Sequence, residues 1–122
     1  MYTNYDDVIL SHYEAEAREH GLESSSTMAD VTTRRLETEW ILRFVKLALD
    51  THPNATLCDV GCGNGFTLET LHGQFPQLRL LGFEFTPQLL DLARGRFRDA
   101  GAASIERGDL RNLDAADAQF DV

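Results

Sequence analysis

Leu57-Cys58-Asp59-Val60-Gly61-Cys62-Gly63-Asn64-Gly65 runs from a short apolar stretch into a turn with glycine at every second position. An apolar run that ends in glycines fits a buried parallel strand, which is covered on both faces. Glycine tolerates positive φ and has no Cβ, so this turn can be tight and a ligand can approach its backbone. The turn amides and the start of the next helix then suit a carboxylate or a phosphate.

Working outward, the hydrophobic period alternates between strand and helix. Residues from about 64 to 75 read as a helix through Phe66, Leu68, Leu71 and Phe75. Leu78-Arg79-Leu80-Leu81-Gly82-Phe83 reads as a second strand. Thr86 is placed as an N-cap with Pro87 at the first helical position, opening a helix through Leu89, Leu90, Ala93 and Phe97 to Gly101. Ala103-Ser104-Ile105-Glu106 reads as a third strand, and Gln119-Phe120-Asp121-Val122 as the start of a fourth. This alternation is the signature of an α/β fold with a doubly wound parallel sheet, which binds ligands at the carboxyl ends of its strands.

Upstream of the turn the chain reads as helical. Val8, Ile9, Tyr13 and Ala17 recur at helical spacing between about Asp6 and His20, with Gly21 as the C-terminal cap. Ser24-Ser25-Ser26-Thr27 reads as a short loop. A longer helix then runs to about Asp50, capped by Asp30 or Thr32 and ended by Pro53-Asn54. Leu36, Trp40, Phe44 and Leu47 mark its apolar stripe, widened by Ile41, Val45 and Ala48.

At 122 residues, with 43% hydrophobic and 25% charged residues, the chain has the size and composition of one soluble domain at most. No apolar run approaches the ~20 residues of a membrane helix. Met1-Tyr2-Thr3-Asn4-Tyr5-Asp6-Asp7 lacks the basic and apolar regions of a signal peptide. Cys58 and Cys62 therefore read as reduced thiols in the cytoplasm, and no other ligands cluster with them to make a zinc site. His12, His20, His52 and His72 stand beside no candidate nucleophile. A formal charge of −9 repels nucleic acid and suits a small neutral or cationic substrate.

The glycine spacing narrows the ligand. A dinucleotide fingerprint is G-x-G-x-x-G, but here the third glycine, Gly65, comes one residue early and Phe66 holds its place. No Gly-Lys-Ser/Thr follows, which excludes a P-loop. With Asp59 two residues ahead of Gly61, the turn resembles motif I of class I S-adenosylmethionine-dependent methyltransferases. Two further acids follow in the order that family uses, Glu84 after the second strand and Asp109 after the third.

The resemblance, from about Leu57 to Val122, implies a cofactor site for S-adenosylmethionine. Gly61, Cys62, Gly63 and Gly65 would pass beneath the methionine end, and Asp59 would hold its ammonium group. Glu84 would accept both ribose hydroxyls, Phe85 would pack on adenine, Asp109 would accept from the adenine amino group, and the Leu110 amide would donate to the ring. Asp59 as a helix cap, Glu84 as a solvated strand end and Asp109 as a turn former are the plain structural alternatives. The family also implies helices that close over the cofactor, here residues 1–50 ahead of a partial binding domain at 51–122. An arginine of the Arg34-Arg35 pair would then meet the methionine carboxylate, and Tyr5 or Tyr13 would line the acceptor pocket; packing between helices is the alternative.

The resemblance stops as a fourth strand begins, so the fold is expected to be truncated there, with an open edge on the first strand and a tendency to self-associate through it. Residues that choose the acceptor normally follow that strand, so no catalytic residue is assigned. A small-molecule methyltransferase is the leading expectation. A nicotinamide-dependent oxidoreductase shares the glycine turn and the ribose acid but leaves Asp109 without a role, and a non-catalytic cofactor-binding fragment is the third option.

Overall fold

The computed structural model describes residues 4–23, 30–99, 101–113, 115 and 119–122. The serine-rich loop read at 24–27 lies outside them. Two helices come first, α1 (Tyr5–His20) and α2 (Val31–Thr51). Then follow β1 (Thr56–Val60), α3 (Phe66–Gln74), β2 (Arg79–Glu84), α4 (Pro87–Phe97) and β3 (Ala103–Arg107), with a short 3-10 turn at Leu110–Asn112.

The helix ends are set by local chemistry. Asn4 and Asp30 cap α1 and α2, each side chain accepting an amide three residues on, from Asp7 at 3.0 Å and from Thr33 at 2.9 Å. Gly21 closes α1 at φ 54°, its N–H donating to Ala17 O. Pro87 sits at the start of α4, as expected, and that helix ends at Phe97 rather than at Gly101.

The three strands are parallel in the order β1-β2-β3. Beyond the other edge of β1, Thr56 O accepts from Asp121 N at 2.9 Å and Cys58 N donates to Val122 O at 3.0 Å. The edge expected to stand open on β1 is thus covered by residues 121 and 122, in the position of the fourth strand. Helix α4 contacts α1 and α3, and α3 contacts α2. Leu68, Leu71, Leu80, Leu90, Ala93 and Phe97 pack into one core with Val45 and Leu49 of α2, and each large apolar side chain so buried contributes about 1.5–3 kcal/mol. Gly82 is required inside β2, where a Cβ would come within 2.8 Å of Cys62 Sγ and Leu68 Cδ1. No described helix is long and apolar enough to cross a membrane.

One expectation is corrected. Of the α2 stripe, Val45 is buried, as is Leu49 outside it, whereas Trp40 is 68% exposed and Leu36, Phe44 and Leu47 are exposed as well. The helix carries apolar residues on two adjoining flanks, and periodicity alone does not say which one meets the sheet. The outer flank borders an apolar groove with Leu57, Cys58 and Val122.

Candidate functional site

The carboxyl ends of β1 and β2 and the two N-terminal helices enclose a cavity of about 400 Å³, within the usual range for small-ligand sites. The strand side supplies Asp59, Val60, Gly61, Cys62, Gly63, Glu84 and Phe85, and the helices supply Tyr13, Arg34, Glu37 and Ile41. Asp59 and Glu84, 25 positions apart in sequence, are brought together because β1 and β2 pair in parallel with Val60 opposite Phe83.

Gly61, Gly63 and Gly65 all take positive φ, at 78°, 59° and 81°, so the spacing does reflect a tight turn. Four of its amides, those of Gly61, Cys62, Gly63 and Gly65, are engaged within the protein. Gly61 N and Cys62 N both donate to Phe83 O, at 2.8 and 2.9 Å, and Gly65 N donates to Cys62 O at 3.0 Å. Gly63 N donates to Glu84 Oε2 at 2.8 Å, and Phe66 N to Asn64 Oδ1 at 3.1 Å. The turn therefore offers an anion fewer donors than its glycines suggest. It gives a ligand room: a Cβ on Gly61 would meet nothing within 4 Å.

Glu84 is 6% exposed and ties two turns together. Besides Gly63, it accepts at Oε1 from Phe85 N and Thr86 N, both at 3.0 Å. A carboxylate offers about four acceptor sites, so roughly one remains for a ligand. The expectation that Glu84 takes both ribose hydroxyls is narrowed to one in this arrangement.

Burial raises the Asp59 carboxyl above its ordinary range; nearby Arg34 opposes the shift, and Glu84 and Glu37 add to it. A cation arriving beside Asp59 relieves that penalty. The Cys62 thiol is pushed up by burial and by the Asp59 and Glu84 charges, so it remains protonated and unreactive. Arg34 is 12% exposed at its side chain and pairs with Glu37, Nη1 to Oε1 at 3.3 Å. Its Nε is buried without an acceptor among the described residues. A buried donor of that kind is costly unless something accepts from it.

Three expected site residues lie elsewhere. Gly65 faces Ala93 and Phe97 of α4 and serves close packing. Leu110 is 75% exposed, and its amide, the group expected to meet adenine, follows directly on Asp109. Asp109 lines a second cavity of about 420 Å³ with Tyr5, Asp6, Ile9 and Arg111, and Phe85 belongs to both cavities. The Asp109 carboxylate is gripped by Arg111, whose Nε lies 3.0 Å from Oδ1 and whose Nη1 reaches Asp6 of α1 at 3.0 Å. Those hydrogen bonds hold its pKa down to about 2. So Asp59 and Glu84 share one chamber, and Asp109 stands in the next, across Phe85.

Glu37, Ile41 and Asn64 were not foreseen. The first two lie one and two helical turns past Arg34, a signal visible once Arg34 is placed.

A parallel sheet with a glycine turn after its first strand and an acid at the end of its second defines a Rossmann-like α/β domain. Residues 57–122, more than half of the chain, match the family described as "Methyltransferase domain". The chain belongs to that family. It is 31% identical over 108 residues to the biotin biosynthesis bifunctional protein BioHC of Teredinibacter turnerae, covering 80% of this chain and 19% of that protein. It is 38% identical over 75 residues to a demethylmenaquinone methyltransferase of Deinococcus radiodurans, covering 58% and 30%. Among solved structures, S-adenosylmethionine-bound CalS10, an amino pentose methyltransferase from Micromonospora echinaspora, superposes with a TM-score of 0.51 at 30% identity, covering 95% of this chain and 39% of that one. The chain spans between 19% and 36% of the length of the curated relatives it matches.

Proposed function

We propose that this chain is the S-adenosylmethionine-binding part of a methyltransferase that acts on a small-molecule acceptor. The observation that carries this is one cavity holding the glycine turn, Asp59, Glu84 and Arg34 together. The cofactor's amino-acid end is a zwitterion, so it needs an acceptor and a donor side by side. Asp59 accepts from the ammonium group, and the guanidinium of Arg34, which lines the cavity, donates to the carboxylate. With four of the turn amides engaged, Arg34 is the cationic donor on the cavity wall for that role. Glu84 accepts one ribose hydroxyl at its remaining site, and Phe85 lies against the adenine face between the two cavities.

When bound, S-adenosylmethionine supplies a methyl group activated by its sulfonium. The protein's contribution is to orient and to exclude water, since in-line displacement depends on holding the reacting atoms in register. Tyr13, Glu37 and Ile41 form the helical wall over the cavity and shield it from solvent. Demethylmenaquinone and an amino pentose, named for two of the similar proteins, are both small acceptors. The net charge of −9 agrees with such a substrate and disfavours nucleic acid. Free thiols at Cys58 and Cys62 agree with a cytoplasmic setting.

A nicotinamide-dependent oxidoreductase is disfavoured on one specific ground: a pyrophosphate needs the turn amides, and those of Gly61, Cys62, Gly63 and Gly65 are bonded internally. A thermal-shift comparison on the full-length protein separates the two. S-Adenosylmethionine raises the melting temperature and NAD leaves it unchanged; the reverse pattern overturns the reading.

A further inference from the structure

We propose that Asn64 and Arg96 are positioning residues for cofactor binding, latching the carboxyl end of α1 onto the glycine turn so that the helical wall of the cavity stays in place. This rests on the cofactor reading above. Asn64 is 0% exposed, and a buried side-chain amide persists only where its groups find partners. Its Nδ2 donates to Gly21 O at 2.9 Å and to Glu23 O at 2.7 Å. Its Oδ1 accepts from Phe66 N and its backbone oxygen from Arg96 Nε at 2.9 Å. Arg96 also donates from Nη2 to Leu22 O at 2.6 Å and from Nη1 to Glu69 Oε1 at 2.8 Å.

Three successive carbonyls at the end of α1, those of Gly21, Leu22 and Glu23, are thus held by two side chains of the sheet domain. Carbonyls leaving a helix lack partners within it, and a cation there complements the helix dipole. The gripped stretch follows the helix that carries Tyr13 and precedes the helix that carries Arg34. Asn64 itself lies between two positive-φ glycines of the turn. One residue therefore shapes the floor of the cavity and holds its roof, without lining the cavity itself.

A latch of this kind couples two separate residues. With the helices held, Arg34 is already in place when the cofactor's carboxylate arrives; with them released, Arg34 is no longer preorganised. The test is a set of calorimetric titrations of S-adenosylhomocysteine into the full-length wild type, Asn64→Ala, Arg34→Ala and the double variant. Asn64→Ala is expected to weaken binding about tenfold. Arg34→Ala is expected to cost far less in the Asn64→Ala background than in wild type. Arg96→Ala gives the same pattern and serves where Asn64→Ala does not fold. Leu78→Ala, a buried change at the opposite, amino end of β2, is the control for simple loss of stability and retains wild-type affinity. Folded Asn64→Ala and Arg96→Ala proteins that bind like wild type, or effects of Asn64→Ala and Arg34→Ala that simply add, overturn the latch. A wild-type protein that binds no S-adenosylhomocysteine overturns the cofactor reading and the latch with it.

Discussion

The carboxylate of Glu84 accepts the Gly63 amide at 2.8 Å, so the end of the second strand holds the turn that follows the first. The same side chain takes the Phe85 and Thr86 amides. It is a fastener between two loops before it is a ligand contact. Glu84→Ala leaves three amides without an acceptor, at about 1–3 kcal/mol for each that stays buried. We expect a loss of at least about 3 kcal/mol in urea unfolding. On the protein that remains folded, calorimetry is expected to show S-adenosylmethionine binding weakened from about tenfold to a few hundredfold, the equivalent of about 1.5–3 kcal/mol. Unchanged affinity removes Glu84 from the site.

Asp59 responds to pH in two opposite ways. Its folded pKa is raised, chiefly by burial, so the folded protein binds a proton more tightly than the unfolded chain does. Stability from this group is therefore greatest below the unfolded value of about 3.9 and declines as pH rises through the folded value. Asp59→Asn, which has no charge to bury, is expected to be more stable than wild type at pH 7 in the absence of ligand. Cofactor binding has the other sign. The ammonium group requires the ionised carboxylate, so affinity falls as pH drops through the folded pKa. Asp59→Asn flattens that profile and weakens binding about tenfold or more at pH 7. Titrations between pH 4 and pH 8 check both slopes.

Arg34 is assigned to the methionine carboxylate, which makes its contribution specific to one end of the ligand. Arg34→Ala is expected to weaken S-adenosylhomocysteine by about tenfold to a hundredfold. Binding of 5′-methylthioadenosine, which lacks the amino-acid end, stays the same. Equal losses for both ligands in calorimetry contradict the assignment.

Asp109 is held at a pKa of about 2 by Arg111, and the Arg111 side chain is 63% exposed. The stability linked to this depressed pKa is complete above the unfolded value and is lost only as pH falls through the folded one. Arg111→Ala is expected to return the Asp109 pKa toward about 3.9, followed by carboxyl NMR. Solvent screening keeps the change in stability at pH 7 small. A pKa that stays near its wild-type value shows that Arg111 is not its cause.

Much of this arrangement follows from local chemistry that a sequence displays. Pro87 marks the start of α4, Gly21 the end of α1 and Asp30 the start of α2, since each acts on backbone within a few residues, although the Thr86 side chain makes no capping bond among the described residues. Asp59 and Glu84 could be paired in advance because parallel strands joined by a crossover helix align their carboxyl ends. What could not be read depends on partners distant in the chain. Asn64 meets carbonyls 41 and 43 positions earlier. The turn amides were expected to be free because nothing in the glycine pattern reveals Phe83 O and Glu84 as their acceptors. Arg34 and Arg35 differ by one step of about 100° around a helix, and only the packing of α2 turns the first of them into the cavity. Asp109 was placed correctly after β3, but the second pairing of its partner Arg111, with Asp6, depends on where α1 packs.

The most direct test is a crystal structure of the full-length protein with S-adenosylhomocysteine. The amino-acid end should lie between Asp59 and Arg34, one ribose hydroxyl on Glu84, and the adenine against Phe85. A nucleoside bound away from this turn, or Asp59 and Glu84 directed away from it, contradicts the account.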